Sequence, residues 1–424
     1  MHPAALLDLA ADLLGELLRF QAPADAVVAA FFRRHRQLGA RERHALAETA
    51  YAVLRERLLL EHLARSDADG GAPATLPQRL AALAWRGDQA LLARALGEGA
   101  QAWRARVLAC DRSGLPAALR HGLPDWIAQP LAQQLGEAGL AALAAALLQP
   151  APLDLRVNLL RARRDAVQAA LAAEGVESAP TPYSPWGLRV AGKPALQHSA
   201  PYLRGDFEVQ DEGSQLLALL TGARRGETVV DFCAGAGGKT LALGAMMRNT
   251  GRLYAFDVGA ARLAALAPRL QRAGLANVYP MALAHERDER VQRLTSKVDR
   301  VLVDAPCSGL GTLRRSPDLK WRQSAQGVRE LAAKQAAILA AASALVRPGG
   351  RLVYATCSLL PAENDEVAAG FGRERPDFRP LPVAEALRAG GVAEAEALVD
   401  GDALRLWPQR HGCDGYYAAL WQRR

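Results

Sequence analysis

The sequence is short of cysteine, with five in 424 residues and none in a C-x-x-C pair. So sparse and odd a number builds no disulfide framework and supplies no ligand set for structural zinc. No uncharged apolar run reaches the roughly 18 residues that a transmembrane helix needs. The start, Met1-His2-Pro3-Ala4, has no basic stretch, and Asp8 and Asp12 interrupt the apolar residues behind it. No secretory signal is therefore expected, and a cytoplasmic monomer without metal or membrane contact is. Acid is in the minority too, 44 residues against 52 Lys and Arg, which leaves a formal charge of +8 and a lean toward a polyanionic partner. What the chain does have is apolar side chains, half of the total. That content excludes disorder over most of the length and suffices for two or three packed domains.

Residues 1–65 form a helical block in which Leu6, Leu9, Leu13, Leu14, Leu17 and Leu18 recur at helical steps. Further helices are expected over 24–36 and from 40 to about 63. Arg33, Arg34, Arg36, Arg41, Arg43, Arg55 and Arg57 concentrate here, either as a solvated face or as an RNA contact. The small, polar stretch 66–77 (SDADGGAPATLP) marks a linker, and Ala/Leu-rich helices fill the remainder of 66–149. Over 150–210 strand candidates at 153–158, 187–190 and 207–210, with a helix at 165–173, predict a small α/β subdomain. From 211 to 424 strands and helices alternate, which predicts a Rossmann-like parallel sheet covered by helices on both faces. Its expected strands are 228–232, 252–256, 278–282, 300–303 and 350–355. A long helix over about 324–346 is expected to be stopped by Arg347-Pro348-Gly349-Gly350.

Three segments carry chemistry. The first, Asp231-Phe232-Cys233-Ala234-Gly235-Ala236-Gly237-Gly238-Lys239-Thr240, is a glycine-rich turn leading from strand to helix. Such a turn lets backbone approach a ligand closely and presents free N–H groups. Asp257, at the end of the next strand, is placed to accept hydrogen bonds from ribose hydroxyls. The turn departs from the dinucleotide fingerprint and is too short for a phosphate loop, which favours an adenosyl ligand without pyrophosphate. The second and third segments, Asp304-Ala305-Pro306-Cys307-Ser308-Gly309 and Ala355-Thr356-Cys357-Ser358, end two later strands. If those strands are neighbours, about 4.8 Å apart, both thiols enter one crevice beside the glycine-rich turn. A thiolate adding to carbon 6 of cytosine makes carbon 5 nucleophilic enough to attack a methyl sulfonium, with Asp304 at the base's polar edge and a second thiol assisting release.

These segments resemble the signatures of the Fmu (Sun)/Nop2 family of S-adenosylmethionine-dependent RNA cytosine-C5 methyltransferases. Val209-Gln210-Asp211-Glu212-Gly213-Ser214, Arg314-Arg315-Ser316-Pro317-Asp318-Leu319-Lys320-Trp321, Glu363-Asn364 and Asp414-Gly415-Tyr416-Tyr417 extend the likeness over about 150–424. Residues 1–65 are more loosely similar to the NusB-like RNA-binding domain of the 16S ribosomal RNA member. The resemblance implies that Cys357 is the nucleophile and that Cys307 assists product release. It implies that Cys233, Ala234, Gly235, Ala236, Gly237, Gly238, Lys239 and Asp257 bind the donor, that Asp304 lies between donor and base, and that Lys239 reaches the base. The family's acidic residue after the third strand has no Asp to match it at the aligned position in Met281-Ala282-Leu283-Ala284-His285-Glu286, and Asp288 is too distant, so the adenine contact is unassigned.

The positive charges of Arg314, Arg315, Lys320 and Arg322 are expected to grip RNA phosphates. Two rival readings stand beside 16S rRNA methylation. A DNA cytosine-C5 methyltransferase would use the Pro-Cys thiol as nucleophile, against Cys357 and Ser308. A non-catalytic RNA-binding or assembly factor would not need Cys307, Cys357 and Asp304.

Overall fold

The computed structural model describes residues 2–67 and 70–424; Met1, Ala68 and Asp69 lie outside it, and with them part of the expected linker. The chain divides into two compact units, 1–150 with 312–325, and 151–311 with 326–424. Among the described residues no helix is long and apolar enough to cross a membrane, and no cluster of His, Cys, Asp and Glu could hold a metal ion.

The first unit is helical. Helix Pro3–Leu17 starts on proline, which lacks only an N–H that a first turn leaves unpaired anyway, and buries Leu6, Leu13, Leu14 and Leu17. Helices Ala24–Arg34 and Ala40–Ser66 follow as their periodicity predicts. After the linker, Thr75 and Gln78 form a capping box for Leu76–Ala84. Leu80, Trp85 and Trp103 pack into the same core as Leu13, Phe31 and Leu46. Residues 66–77 therefore join helices of one core rather than separating two bodies.

The segment Thr312–Ala325 is a member of this unit, and it corrects the expected phosphate grip. Lys320 is buried, and its ammonium donates to the carbonyls of Arg55 (2.6 Å) and Gly122 (2.7 Å). Trp321 Nε1 donates to the Leu54 carbonyl at 2.8 Å. The long helix Ala40–Ser66 loses helical geometry at Glu56, so these two side chains satisfy carbonyls beside the kink. Burial pushes Lys320 down to about 7, and an ammonium so enclosed has no face left for RNA. Arg314 is buried as well, and Arg322 pairs with Asp318 at 3.3 Å; Arg315 and Arg322 alone of the four are exposed. Arginines of the first helices are also partly engaged, Arg34 with Glu16, Arg57 with Glu61, and Arg55 by burial, while Arg33, Arg36 and Arg41 remain on the surface.

The second unit holds two sheets. The smaller comprises β1 (Leu153–Val157), β2 (Ser178–Pro180), β3 (Gly187–Val190) and β4 (Phe207–Val209) in the antiparallel order β2-β3-β1-β4. Its core packs Leu155, Leu188 and Phe207 against Val167 and Leu171 of helix Arg164–Ala173. The short β2 escapes a sequence reading because it has only three residues and ends on proline.

The larger sheet comprises β5 (Thr228–Asp231), β6 (Arg252–Asp257), β7 (Val278–Ala282), β8 (Val298–Asp304), β9 (Val346–Thr356), β10 (Phe378–Pro380), β11 (Val399–Asp400), β12 (Ala403–Leu406) and β13 (Tyr416–Arg423). Its order is β11-β12-β13-β9-β8-β5-β6-β7, with β10 paired to β13. Strands β5 to β9 run parallel, and the inner strands β5, β8 and β9 are apolar on both faces, as Val229, Val230, Leu302 and Val353 show, because helices cover both sides, whereas the edge strand β7 is largely exposed. β5 pairs with both β6 and β8, so the chain reverses direction across the sheet there and opens a crevice at the carboxyl ends.

The Pro-Gly-Gly stop acts differently from expectation. The helix is Ala325–Ser343 and ends before it, while Pro348-Gly349-Gly350 lies inside β9. Val298 faces Val346 and Arg300 faces Arg351, so the intervening residues of β9 form a bulge, with Gly349 at φ +75°. Arg347 Nε holds Asp299 Oδ1 across it at 2.5 Å. A bulge and a helix stop draw on the same residue types, and the sequence alone does not separate them.

Candidate active site

The glycine-rich turn begins where β5 ends. Asp231 is buried, accepts from Thr240 Oγ1 at 2.7 Å, and has its Oδ1 without a partner. Burial, only partly offset by that hydroxyl, pushes the Asp231 carboxyl up to about 7. Gly237 caps helix Gly238–Met246 at φ +85°, where a Cβ would stand 2.1 Å from Leu266 Cδ1, so both space and dihedral demand glycine. Asp257 Oδ2 accepts from the Gly235 N–H at 2.8 Å, which ties the turn to the end of β6. Its Oδ1 accepts from the Gly259 N–H (2.6 Å) and from Arg262 (2.7 Å), whose own side chain is 60% exposed.

The two thiols meet. β8 and β9 are hydrogen-bonded neighbours with Asp304 opposite Ala355, and Cys307 Sγ lies 3.3 Å from Cys357 Sγ. Both are free cysteines, half-buried in the crevice. The hydrogen bond to Cys357, then burial, pushes the Cys307 thiol well up, so Cys307 keeps its proton at neutral pH. Cys233 lies in the same crevice, its thiol pushed up by burial and by the carboxylates of Asp304, Asp231 and Asp257. Cys110 is exposed and Cys413 is buried, both outside the crevice.

Lys239 Nζ and Asp304 Oδ2 form an ion pair at 2.7 Å. Burial works against the Lys239 ammonium, but Asp304 outweighs it and the net shift is upward, with Cys357 contributing in the same direction. A positive charge is thus paired with Asp304 and close enough to Cys357 to be favoured by it.

Behind the thiols, Glu363 is fully buried and takes the Ser308 N–H (2.8 Å), the Ser308 and Ser358 hydroxyls, and Gln335 Nε2 (3.0 Å). Each serine directly follows one of the two cysteines, so a single carboxylate fixes both loops. Asn364 adds a second tie, accepting from Thr356 Oγ1 and donating to the Ser358 carbonyl. The sequence marks Glu363-Asn364 only through resemblance, since no local pattern tells that a glutamate six residues on reaches both loops.

A cavity of about 380 Å³ runs from the glycine-rich turn to the thiols, lined by Cys233, Ala234, Gly235, Ala236, Asp257, Asp304, Cys307 and Cys357. Gly237, Gly238 and Lys239 shape it from behind without lining it. The lining also includes Val258 and Ile338, which the sequence reading left out, and Leu283, His285 and Glu286 from the stretch in which it assigned no contact. Glu286, held by Lys334 at 2.7 Å, is the acidic residue that follows β7 in this lining. Asp288 instead caps the short helix Glu289–Gln292 and pairs with Arg290. An apolar shelf at Val258 and Leu283, a buried acid at Asp257 and a glycine backbone suit an adenosyl group, its ribose and its amino-acid tail respectively.

The chain matches the family described as 16S rRNA methyltransferase RsmB/F over residues 218–422, and the RsmF/B ferredoxin-like domain over 123–197. It is 34% identical over 310 residues to a probable ribosomal RNA small subunit methyltransferase B of Synechocystis, covering 73% of this chain and 68% of that one. With a ribosomal RNA small subunit methyltransferase F of Cronobacter sakazakii it shares 34% identity over 283 residues, 65% of this chain and 58% of the relative. A solved methyltransferase homologue from Pyrococcus horikoshii superposes with a TM-score of 0.62 at 28% identity, covering 74% of this chain and all of that one. NSun6 from the same organism, solved with SFG, shares the fold at TM-score 0.62 and 19% identity, over 71% of this chain and 98% of its own. The cofactor of such a site is S-adenosylmethionine. The chain belongs to the RsmB/F family of ribosomal RNA small subunit methyltransferases.

Proposed function

We propose that this protein transfers a methyl group from S-adenosylmethionine to carbon 5 of a cytosine in 16S ribosomal RNA through a covalent cysteine adduct. The observation that carries this reading is the pair of sulfurs 3.3 Å apart, beside the Lys239–Asp304 ion pair, in one crevice with the glycine-rich turn.

The donor, when bound, supplies an electrophilic methyl on a sulfonium. Cys357, as thiolate, adds to carbon 6 of the base, and the electron pair of the 5,6 double bond moves to carbon 5, which takes the methyl. Asp304 accepts from the base's protonated polar edge, which makes carbon 6 more electrophilic, while Lys239 holds that carboxylate in place. Release requires loss of the proton on carbon 5 and of the bond to Cys357. Cys307 gives its proton to the departing sulfur and takes up the one leaving carbon 5, so both thiols end protonated and the double bond re-forms. A target base stacked in a helix has to be swung out to reach these thiols. Cys233, with its thiol held protonated, lines the donor pocket and does not attack.

Incubating the protein with labelled donor and 16S rRNA, followed by bisulfite mapping, tests this. One protected cytosine that depends on the protein is expected. Label on RNA at a position other than cytosine carbon 5 overturns the base assignment, and label on DNA alone points to the DNA reading.

A further inference from the structure

At the opposite end of the large sheet a cavity of about 340 Å³ opens among Arg224, Arg248, Arg300 and Arg351, with Trp186 and Met246 on its apolar wall. No lining residue is acidic. Arg300 and Arg351 face one another in register on β8 and β9, near the amino ends of the strands. Arg300 is paired with Glu227 at 2.9 Å. Arg351 donates Nη1 to the Leu220 carbonyl at 3.0 Å, at the end of helix Glu212–Thr221, while its Nε is buried without a partner. Gly222, at φ +59°, makes room, since a Cβ there would stand 2.8 Å from that guanidinium. Arg248 Nη1 reaches only the Leu159 carbonyl, and Arg224 is exposed. Burial first, then the neighbouring charges of Arg300 and Arg224, only partly answered by Glu227, push Arg351 down to about 10.

Guanidiniums on one side and an indole with a thioether on the other match the two halves of a nucleotide. Arginine forks take phosphate oxygens, and an aromatic face takes a base. We propose that this cavity is a second nucleotide-binding site, taking a phosphate-bearing nucleotide at the amino ends of β8 and β9. Arg300 to Asp304 alone spans about 13 Å of strand, so its occupant is not the base at the thiols. The nucleotide comes either from within an RNA strand or from solution. The site stands whether or not the reaction is cytosine methylation.

The test uses the full chain saturated with S-adenosylhomocysteine, so that the donor pocket is filled. Uridine 5′-monophosphate is titrated by tryptophan fluorescence, uridine serves as the phosphate-free control, and a short single-stranded RNA is followed by anisotropy across a salt series. The double variant Arg224→Gln/Arg248→Gln changes two exposed side chains, and Arg163→Gln/Arg373→Gln makes the same charge change elsewhere on the unit. A nucleotide site predicts at least about tenfold weaker monophosphate binding in the first variant only. Should the RNA salt slope also fall, by about 1.4 for two lost phosphate contacts, or fall alone, the nucleotide belongs to the strand; an unchanged slope beside weakened monophosphate identifies a free nucleotide. Unchanged binding of both probes, or equal losses in the control variant, overturns the site.

Discussion

At the carboxyl ends of the parallel strands stand Asp231, Asp257 and Asp304, with Cys307 and Cys357 just beyond; at the amino ends stand Arg300 and Arg351. The first end is the candidate site, and its groups are tied down: Asp257 to the glycine turn, Asp304 to Lys239, both cysteine loops to Glu363. The second is a cavity rich in arginine, where Arg300 is paired with Glu227, Arg351 Nε is left without a partner, and Arg224 and Arg248 are exposed. Covalent chemistry needs reacting atoms held to fractions of an ångström, so its loops are over-determined. Binding a polyanion needs only positive potential within reach, which the exposed Arg224 and Arg248 supply without such ties.

The contrast breaks hardest at Cys357. Cys357→Ala is expected to reduce methyl transfer by about a thousandfold or more, measured with labelled donor. Next comes Cys307→Ala, in which addition survives and expulsion slows; a protein–RNA adduct resistant to denaturing gel electrophoresis is expected. If that variant turns over normally without adduct, Cys307 has no part in release. Glu363→Ala removes the acceptor for two loops and is expected to cost about 3 kcal/mol of stability, read by urea unfolding. It should slow transfer more than Glu363→Gln, which keeps an acceptor. Equal and undiminished rates for both would detach Glu363 from positioning the thiols.

The last test is a pH slope. Asp231 has a folded pKa of about 7 against an ordinary value of 3.8, so between these the folded state holds a proton that the unfolded state has lost. Stability therefore falls as pH rises through that window. Asp231→Asn, still able to accept from Thr240, should flatten the fall; thermal midpoints at about pH 4.5, 6 and 7.5 decide it. An identical decline in the variant assigns the slope to another group.

The reaction end was legible in the sequence to an unusual degree. Asp257 and Asp304 each close a parallel strand, and that chain position is enough to place them in the crevice, whereas Asp231 closes β5 but is buried outside the crevice lining. The expected juxtaposition of Cys307 and Cys357 needed only that β8 and β9 be neighbours. What escaped depended on tertiary contact. Lys320 sits in a run of positive residues and looks solvated, yet two carbonyls beside the Glu56 kink enclose it. Pro348-Gly349 fits a helix stop as well as a strand bulge, and only the pairing of Arg300 with Arg351 distinguishes them. Likewise the four arginines of the second cavity come from distant stretches of chain, with no local signal that they converge.

Because Thr312–Ala325 belongs to the helical unit while its flanks belong to the other, the backbone passes from unit to unit after Pro150, before Thr312 and after Ala325. No single protease cut or gene truncation liberates either body whole. A fragment beginning at Ala151 would carry Lys320 and the Trp321 indole stripped of the Leu54, Arg55 and Gly122 carbonyls that receive them. Such a fragment is expected to be sticky and poorly expressed, and excising the fourteen-residue excursion as well, with a short glycine bridge in its place, is the way to recover a well-behaved sheet.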